Sequence, residues 1–242
     1  MGKVWLVTKR ELNGYFRTWT GYIIAFFALI INGLLFNSFA IGDQAKYSAE
    51  VLEDFFYFSS GIAMVACVFL AMRLLAEERQ SKTIVLFFTS PITERQIIYG
   101  KFLSAFVVFF LLQIFSLYLP SLIFVEGKVS LGHLAAGYFG VILLGTAVIA
   151  ISLFSSVVAP NQMVAGILGA SFTVVLLIFW ILSNVTDEPF KEVFSYIAIH
   201  NMHFIPFSRG IVHLRDVVYY LSVIVFFLEC SVRVLETRRL EG

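Results

Sequence analysis

Residues 76–101 read "AEERQSKTIVLFFTSPITERQIIYGK" and separate two long apolar runs. The run before is "FSSGIAMVACVFLAM" (58–72), and the run after is "FLSAFVVFFLLQIFSLYLPSLIF" (102–124). Both runs belong to stretches of the roughly 20 apolar residues that a helix needs to cross a bilayer. The segment between them is charged but has an apolar centre, "TIVLFF", which is too short to span. It therefore predicts a polar connection outside the membrane that holds a small apolar element of its own.

The whole chain is as apolar as these two runs indicate. Of its 242 residues, 60% are hydrophobic and only 14% are charged. The mean hydropathy is +0.90. Soluble domains are about 45–50% apolar, so this composition excludes an ordinary soluble protein. Each backbone polar group must find a partner within its own segment in lipid, and we therefore expect an all-α integral membrane protein.

The apolar runs predict six transmembrane helices within a single transmembrane domain, residues 1–242. A turn at Pro160 and Asn161 separates the fourth span from the fifth, which would otherwise form one overlong helix. The sequence shows no cleavable signal pattern, so the first span is expected to stay as an anchor. The predicted spans are about 20–40, 56–76, 102–125, 134–158, 162–184 and 217–235.

Lysine and arginine are distributed unequally between the two sides of such a bundle. Six spans place both termini on the same side as residues 76–101. That side holds twelve of the seventeen basic residues, and the other side holds five. Basic residues favour the cytoplasmic side. We therefore predict a multi-pass protein of the inner (cytoplasmic) membrane with both termini in the cytoplasm.

The residues before the first span have the pattern of an amphipathic helix. Within residues 3–19, apolar side chains recur at helical spacing, with basic and polar residues on the other side. This predicts an interfacial helix on the inner leaflet. Its basic residues serve either as a plain topological anchor or as part of a partner contact. The apolar stripe comprises Trp5, Thr8, Leu12, Phe16 and Trp19.

Residues 76–101 predict one short helix, at about residues 83–88, between two charged hinges. Pro91 disfavours helical geometry at Ser90, and Thr93 is a suitable N-cap for the helix that follows. An apolar group of this size outside a span indicates either a contact surface or a segment that dips into the lipid interface. Its apolar side chains are Ile84, Leu86, Phe87 and Phe88.

Two further features concern the other side and the last span. Residues 186–216 contain the amphipathic pattern Phe190, Val193, Phe194 and Ile197, which predicts a helix that lies on, or re-enters, the outer leaflet. Glu229 and Arg233 are four residues apart in the last span, in the order that favours a helical ion pair. Such a pair is either structural or part of a proton relay.

Catalytic motifs are absent from the sequence. It contains no G-x-x-x-x-G-K-[ST], no H-E-x-x-H and no G-x-S-x-G. We therefore expect that this chain is not an enzyme and holds no cofactor of its own. An intramembrane enzyme stays a weak third alternative.

Several stretches resemble type-2 ABC exporter permeases, in the branch of gliding-motility and nitrous-oxide-reductase-maturation permeases. The likeness follows the family order along the chain, and it is most specific where Glu-Glu-Arg-Gln-Ser precedes Thr-Ser-Pro. Two positions depart from the family pattern, which usually has Gly at Lys82 and an acidic residue at Val85. The stretches are "KRELNGYF" (9–16), "AEERQSKTIVLFFTSPITERQIIYGKFLSA" (76–105), "SSVVAPNQMVAGIL" (155–168), "FIPFSRGIVHLRDVVYYLS" (204–222) and "RVLETRRL" (233–240).

The resemblance implies a mechanism and a set of partners. In that family the short helix is a coupling helix, which inserts into a groove of a separate ATPase subunit that binds ATP and Mg²⁺. A second permease copy or paralogue completes the pathway. Membrane lipid is a further partner, an extracytoplasmic accessory protein an optional one, and no nucleic acid is expected. The residues implicated are Glu77, Glu78, Arg79, Thr83, Leu86, Thr89, Ser90 and Pro91.

These observations predict a permease subunit of an ABC exporter or mechanotransmission complex. The alternative is a motor-independent membrane scaffold or channel subunit. The apolar spans do not encode a solute, so lipid, peptide and pure force transmission stay open as the cargo. Whether the permease pair is homomeric or heteromeric is open as well.

Overall fold

The computed structural model describes residues 2–42, 46–123 and 130–241, without the side chains of Phe88, Leu240 and Glu241. All regular structure in these ranges is helical, and a π-helical turn, Phe36–Ile41, extends the second helix. The helices are α1 (Gly2–Arg17), α2 (Trp19–Leu35), α3 (Ser48–Gln80), α4 (Ile84–Phe88), α5 (Glu94–Ser116), α6 (Tyr118–Ile123), α7 (Leu131–Val158), α8 (Gln162–Val185), α9 (Phe190–Ile197), α10 (Asn201–Ser208) and α11 (Leu214–Glu241).

Six helical segments in the described ranges are long and apolar enough to cross a membrane, which confirms the predicted number of spans. Several begin earlier than predicted, because a helix can include polar residues before its apolar run begins. The third predicted span reaches residues 124 and 125, which lie outside the described residues. The six segments are Trp19–Ile41, Ser48–Gln80, Glu94–Ile123, Leu131–Val158, Gln162–Val185 and Leu214–Arg239.

Helix α7 is the centre of the bundle. In its most apolar stretch 83% of the residues are buried, the largest share among the six segments. Three of its glycines lie directly against aromatic side chains from α3, α5 and α10, and a methyl group at any of them would overlap the aromatic side chain. Small residues thus allow three neighbouring elements to pack closely on one helix. The pairs are Gly137 with Phe56, Gly140 with Phe207, and Gly145 with Phe109.

One end of the bundle collects both chain termini and the segment between α3 and α5. We call it the basic end, and it consists of α1, the last turns of α3, α7 and α11, helix α4, and the first turns of α5. Arg238 donates to the carbonyl of Val158 at the last turn of α7. Arg239 pairs with Glu94 at the first turn of α5. The end of α11 is therefore attached to two other helices.

The opposite end, which we call the distal end, contains α9 and α10. The helix predicted at Phe190–Ile197 is present as α9, and Phe194 stacks on Phe179 of α8 with a centroid distance of 5.7 Å. Helix α10 packs inside the bundle, because its aromatic residues Phe204 and Phe207 are fully buried. The segment before the last span is thus an integral part of the bundle.

The first turns of α11 hold the α9–α10 segment through its backbone and one buried pair. Tyr219 and Tyr220 donate to the carbonyls of Ile197 and Ile199. His203 Nδ1 lies 2.8 Å from Asp216 Oδ1, and both side chains are fully buried. These contacts join residues far apart in the sequence, and no local pattern indicated them.

Candidate functional site

The short helix α4 lies between two closed helix ends at the basic end. Helix α3 ends with the paired hydrogen bonds of a Schellman motif, Thr83 N to Glu78 O at 2.8 Å and Lys82 N to Arg79 O at 3.1 Å. Lys82 takes the left-handed conformation that this motif requires, with φ of 58°. On the other side, Thr93 caps α5, as predicted from the sequence. Helix α4 is therefore held at both of its ends.

The side chains of α4 divide between an exposed edge and a buried root. Val85 and Leu86 are 57% and 66% exposed, whereas Phe87 is only 4% exposed. Ile84 is half-buried and packs against the main core. The side chain of Phe88 lies outside the described residues. The expectation that Phe87 belongs to an outer apolar surface is therefore wrong, because a five-residue helix that rests on a bundle must direct part of its surface inward.

A buried group of charges surrounds Phe87. Lys101 has no exposed side-chain surface, and its Nζ lies 3.0 Å from Glu11 Oε1 and 3.0 Å from Glu78 Oε1. Arg10 pairs with the same oxygen of Glu78 at 3.2 Å. The cations of Arg10 and Lys101 lie 4.8 and 5.2 Å from the centre of the Phe87 ring. We call these five residues the Lys101 cluster, and they join α1, α3, α4 and α5.

Glu78 is consequently not available to a partner, although the family resemblance implies that it takes part in the ATPase contact. It is buried, and its neighbours are the Arg10 and Lys101 side chains of this chain. The sequence showed two adjacent glutamates at the end of a span and no difference between them. Their environments differ because Glu78 points toward α1 and α5, whereas Glu77 is half exposed and pairs with Arg73 one turn earlier.

Helix α1 lies against the same region through its inner face. Val7 lies on Gly100, where a Cβ would overlap its side chain, and the hydroxyl of Thr8 donates to the Gly100 carbonyl at 3.1 Å. Lys3 Nζ donates to the carbonyl of Pro91 at 2.6 Å. Helix α1 therefore contacts the segment after α4 as well as contributing to the Lys101 cluster.

The predicted apolar stripe of α1 is divided between the bundle and the outer surface. Of this stripe, Thr8 is buried, together with Val7 and Tyr15, whereas Trp5 and Phe16 are exposed. The phenol of Tyr15 donates to the carbonyl of Leu70 at 2.6 Å, and burial raises the pKa of this phenol. The sequence pattern identified an amphipathic helix, but its inner face includes polar groups that find partners only in the folded bundle.

Arg79 closes the end of α7. Its guanidinium donates to the backbone carbonyls of Val157, Val158 and Ala159. These carbonyls belong to the last turn and C-cap of a helix, where no intrahelical partner is available. The resemblance implied a role for Arg79 in a partner contact, and the structure shows an internal role that joins α3 to α7.

The other hydroxyl residues of the segment bond locally. Thr83 Oγ1 lies 2.8 Å from Ser81 Oγ, and Ser90 donates to the Phe87 carbonyl at 2.7 Å. Thr89 is exposed and donates to the carbonyl of Val85. These bonds fix the shape of the segment and leave Val85, Leu86 and Thr89 on its outer side.

The prediction of an ion pair between Glu229 and Arg233 within the last span is wrong. Glu229 accepts hydrogen bonds from Arg95 and Tyr99 of α5, each at 3.1 Å. Arg233 instead pairs with Glu236 at 3.4 Å and is largely exposed. The spacing rule for helical pairs considers one helix alone, whereas Glu229 faces the neighbouring α5.

Helices α2 and α8 are the least enclosed parts of the bundle. Only 17% of the residues in the most apolar stretch of each are buried. A groove of about 1280 Å³ runs between α3 and α8. Gln80 and Asn161 lie at its basic end, and its walls are almost wholly apolar, with Val65, Val68 and Ile167 among them. The bundle thus has one long apolar side that it does not cover itself.

Comparison with known proteins identifies one family. The model of the family described as ABC-2 family transporter protein matches residues 18–231. This range includes α4, the first five spanning segments and most of the sixth. No curated protein matches the chain.

Proposed function

The chain belongs to the ABC-2 transporter family and is the membrane-spanning permease part of an ABC transporter, and we propose that a separate ATPase subunit drives it by docking on α4. The ATPase would bind the ATP and Mg²⁺, since this chain has no phosphate-binding loop of the P-loop type. The complex would be an exporter or a mechanotransmission assembly. The likeness of residues 76–105 extends the proposal to the gliding-motility and nitrous-oxide-reductase-maturation branch.

The observation that carries the proposal is the division of α4 into an exposed edge and a buried root. Leu86 and Val85 project from the basic end with more than half of their surface exposed, and Thr89 lies beside them. Apolar anchors of this kind provide most of the energy of a protein contact when they enter a partner's groove. Val85 lies where related permeases carry an acidic residue, which suits an exposed position.

The root of α4 gives such a contact a route into the bundle. Phe87 belongs to the Lys101 cluster, whose other members come from α1, α3 and α5. A force applied at Leu86 would therefore act on two spanning helices and on α1 together. We propose that α4 works as a coupling helix in this way, and that Glu78 and Arg79 support it from inside without touching the motor.

The basic end would face the cytoplasm, where the ATPase is found. Twelve of the seventeen basic residues lie at the predicted cytoplasmic side, in agreement with the positive-inside rule. Both termini would then lie in the cytoplasm, and the chain in the inner membrane. The long uncovered side of α2 and α8, with its groove, would be covered by a second permease copy or paralogue, since exposed apolar surface at a bundle side favours association.

The test is to substitute the exposed edge of α4 and measure retention of the ATPase. We expect Leu86→Asp to reduce ATPase co-purification with the tagged chain, because an acidic group would replace an apolar anchor. Loss of an anchor at about 2 kcal/mol corresponds to roughly 30-fold weaker binding. The copurifying subunit is identified by peptides that contain its own P-loop motif.

The matched control is Leu214→Asp, because Leu214 is 77% exposed but lies at the distal end. This variant should keep the ATPase, and both variants should retain their monodisperse elution. If Leu86→Asp retains the ATPase as fully as the control does, the docking proposal fails. A motor-independent scaffold or channel subunit then becomes the better interpretation.

A further inference from the structure

The outward face of α1 carries a basic groove, of which the proposed function uses only Arg10. Leu6, Asn13 and Gly14 line it together with three cations, and its volume is about 480 Å³. The residues lie three or four positions apart, so they form one stripe along the helix. This stripe lies on the side of α1 opposite to Val7, Thr8 and Tyr15, which face the bundle. The cations are Lys9, Arg10 and Arg17.

The charge of this groove is not balanced from within the chain. Arg10 reaches Glu78 with one nitrogen. No acidic side chain within the described ranges pairs with Lys9 or Arg17, and both are exposed. The one acidic residue of α1, Glu11, points inward to Lys101. Two cations are therefore available to an anion.

Aromatic side chains lie beside the groove with about half of their surface or more exposed. Trp5 and Phe16 are 57% and 49% exposed, and at about 100° per residue both lie within a quarter turn of Lys9. Trp19, at the start of the first span, is the most exposed large apolar side chain of the described residues, at 82%. Exposed aromatic residues next to basic ones at a span end are typical of the membrane interface.

The backbone beneath the groove is held in place, because the opposite face of α1 is anchored. Thr8 bonds to the Gly100 backbone, Tyr15 to that of Leu70, and Glu11 to Lys101. An anion that binds then has to order side chains but not the helix that carries them. Helix α1 thus holds its cations at set positions beside the aromatic flank.

We propose that this groove binds the phosphate headgroup of an anionic phospholipid of the leaflet that α1 faces. Lys9 and Arg17 would bind the phosphate, Asn13 would donate to its oxygens, and Trp5 and Phe16 would lie among the glycerol and upper acyl groups. A zwitterionic lipid brings its own cation and would bind more weakly. The adjacent aromatic flank favours a lipid over a soluble anion.

The test uses the purified full chain and measures lipid binding by native mass spectrometry. The probes are dioleoyl-phosphatidylglycerol and dioleoyl-phosphatidylcholine at equal concentrations. We expect the wild-type chain to retain phosphatidylglycerol preferentially. The variant Lys9→Gln/Arg17→Gln should bind phosphatidylglycerol about 30-fold more weakly, which is the effect of two cations at an anionic surface, and should keep its melting temperature in detergent.

The matched control is Lys191→Gln/Arg233→Gln, which removes two exposed cations outside the groove. It should keep the preference for phosphatidylglycerol. Equal losses in the two double variants would mean diffuse attraction and overturn the site, as would equal retention of phosphatidylcholine by the wild type. Displacement of phosphatidylglycerol by an equal concentration of inorganic phosphate would overturn the lipid assignment. Loss of the ATPase with unchanged lipid binding would assign the groove to a protein partner instead.

Discussion

The Lys101 cluster provides the sharpest test of how α4 is attached to the bundle. We expect Lys101→Met to destabilise the protein strongly. The side chain of Lys101 is fully buried, and its ammonium is within 3.0 Å of two carboxylates, those of Glu11 and Glu78. Methionine preserves the apolar stem but removes the charge. Two acidic groups would then face each other beside a buried aromatic ring.

The magnitude follows from what remains after the substitution. Glu78 keeps only Arg10, which is more than half exposed, and its Oε2 already has no hydrogen-bond partner. Removal of one partner from a buried ion pair costs about 3–5 kcal/mol. At about 2–4 °C per kcal/mol for a chain of this size, the melting temperature should fall by roughly 6–20 °C.

A double-mutant cycle separates the charge from the packing. Glu78→Gln in the Lys101→Met background removes the stranded carboxylate and should restore part of the stability, with a coupling energy of about 0.5–3 kcal/mol, as is usual for contacting residues. The control is Lys82→Met, a lysine-to-methionine change at an exposed position of the same segment, which should stay within about 0.5 kcal/mol of wild type.

The assay is thermal melting in detergent, followed by fluorescence-detected size exclusion. Strong destabilisation by Lys101→Met with partial rescue by Glu78→Gln would support the cluster as the attachment of α4. The reasoning is refuted if Lys101→Met melts like Lys82→Met, or if the effects of Lys101→Met and Glu78→Gln simply add. In either case the charges of the cluster would not be what attaches α4 to the bundle.

Three further changes probe single contacts. Lys82→Gly should raise stability by about 0.5–1 kcal/mol. Glycine removes the left-handed strain at φ of 58°, and this gain exceeds the entropy that glycine adds to the unfolded chain. A lower melting temperature would contradict this. Arg79→Met should cost about 2–3 kcal/mol because three carbonyls of α7 lose a charged donor, and Arg79→Lys should recover only part of it in the same melting assay. Burial lowers the pKa of the His200 imidazole despite its bond to Asn201, so the folded protein resists its protonation. Stability should therefore fall as the pH drops below about 6.5. A His200→Gln variant with the same pH profile of stability as wild type would exclude this residue as the cause.

The six spans could be predicted because hydropathy along a single segment determines whether lipid can solvate it. The short helix could be predicted for a similarly local reason. Pro91 prevents one continuous helix, and Thr93 with Gln96 begins the next. The residues that end and begin these helices act on their own neighbours, so the sequence order alone contains the necessary information.

The orientation of the side chains could not be predicted in the same way. Phe87 and Leu86 are adjacent and similarly apolar, yet one is buried and the other is exposed. Which of them faces inward depends on α1 and α5, whose relevant residues lie about 80 positions earlier and 14 positions later in the chain. Lys101 entered the prediction only as one more basic charge. Its position one to two turns inside a helix that becomes a span was the available signal that it needs a buried acidic partner.

The position of Lys101 also determines what a motor at α4 could move. Its helix continues as the third spanning segment, Glu78 ends the second, and Glu11 belongs to the helix that leads into the first. The cluster is therefore the place where the end of the second span, the beginning of the third span and helix α1 meet under one short helix. A displacement of α4 that kept these ion pairs would shift α1 and these two spans as a unit against α7, to which α3 is joined by apolar packing, by Ser156 and by Arg79. A displacement that broke the pairs would leave a buried ammonium and a buried carboxylate without partners, at high energetic cost. The first kind of movement is therefore favoured, so that a motor docked on α4, as proposed, would move α1 and the second and third spans together.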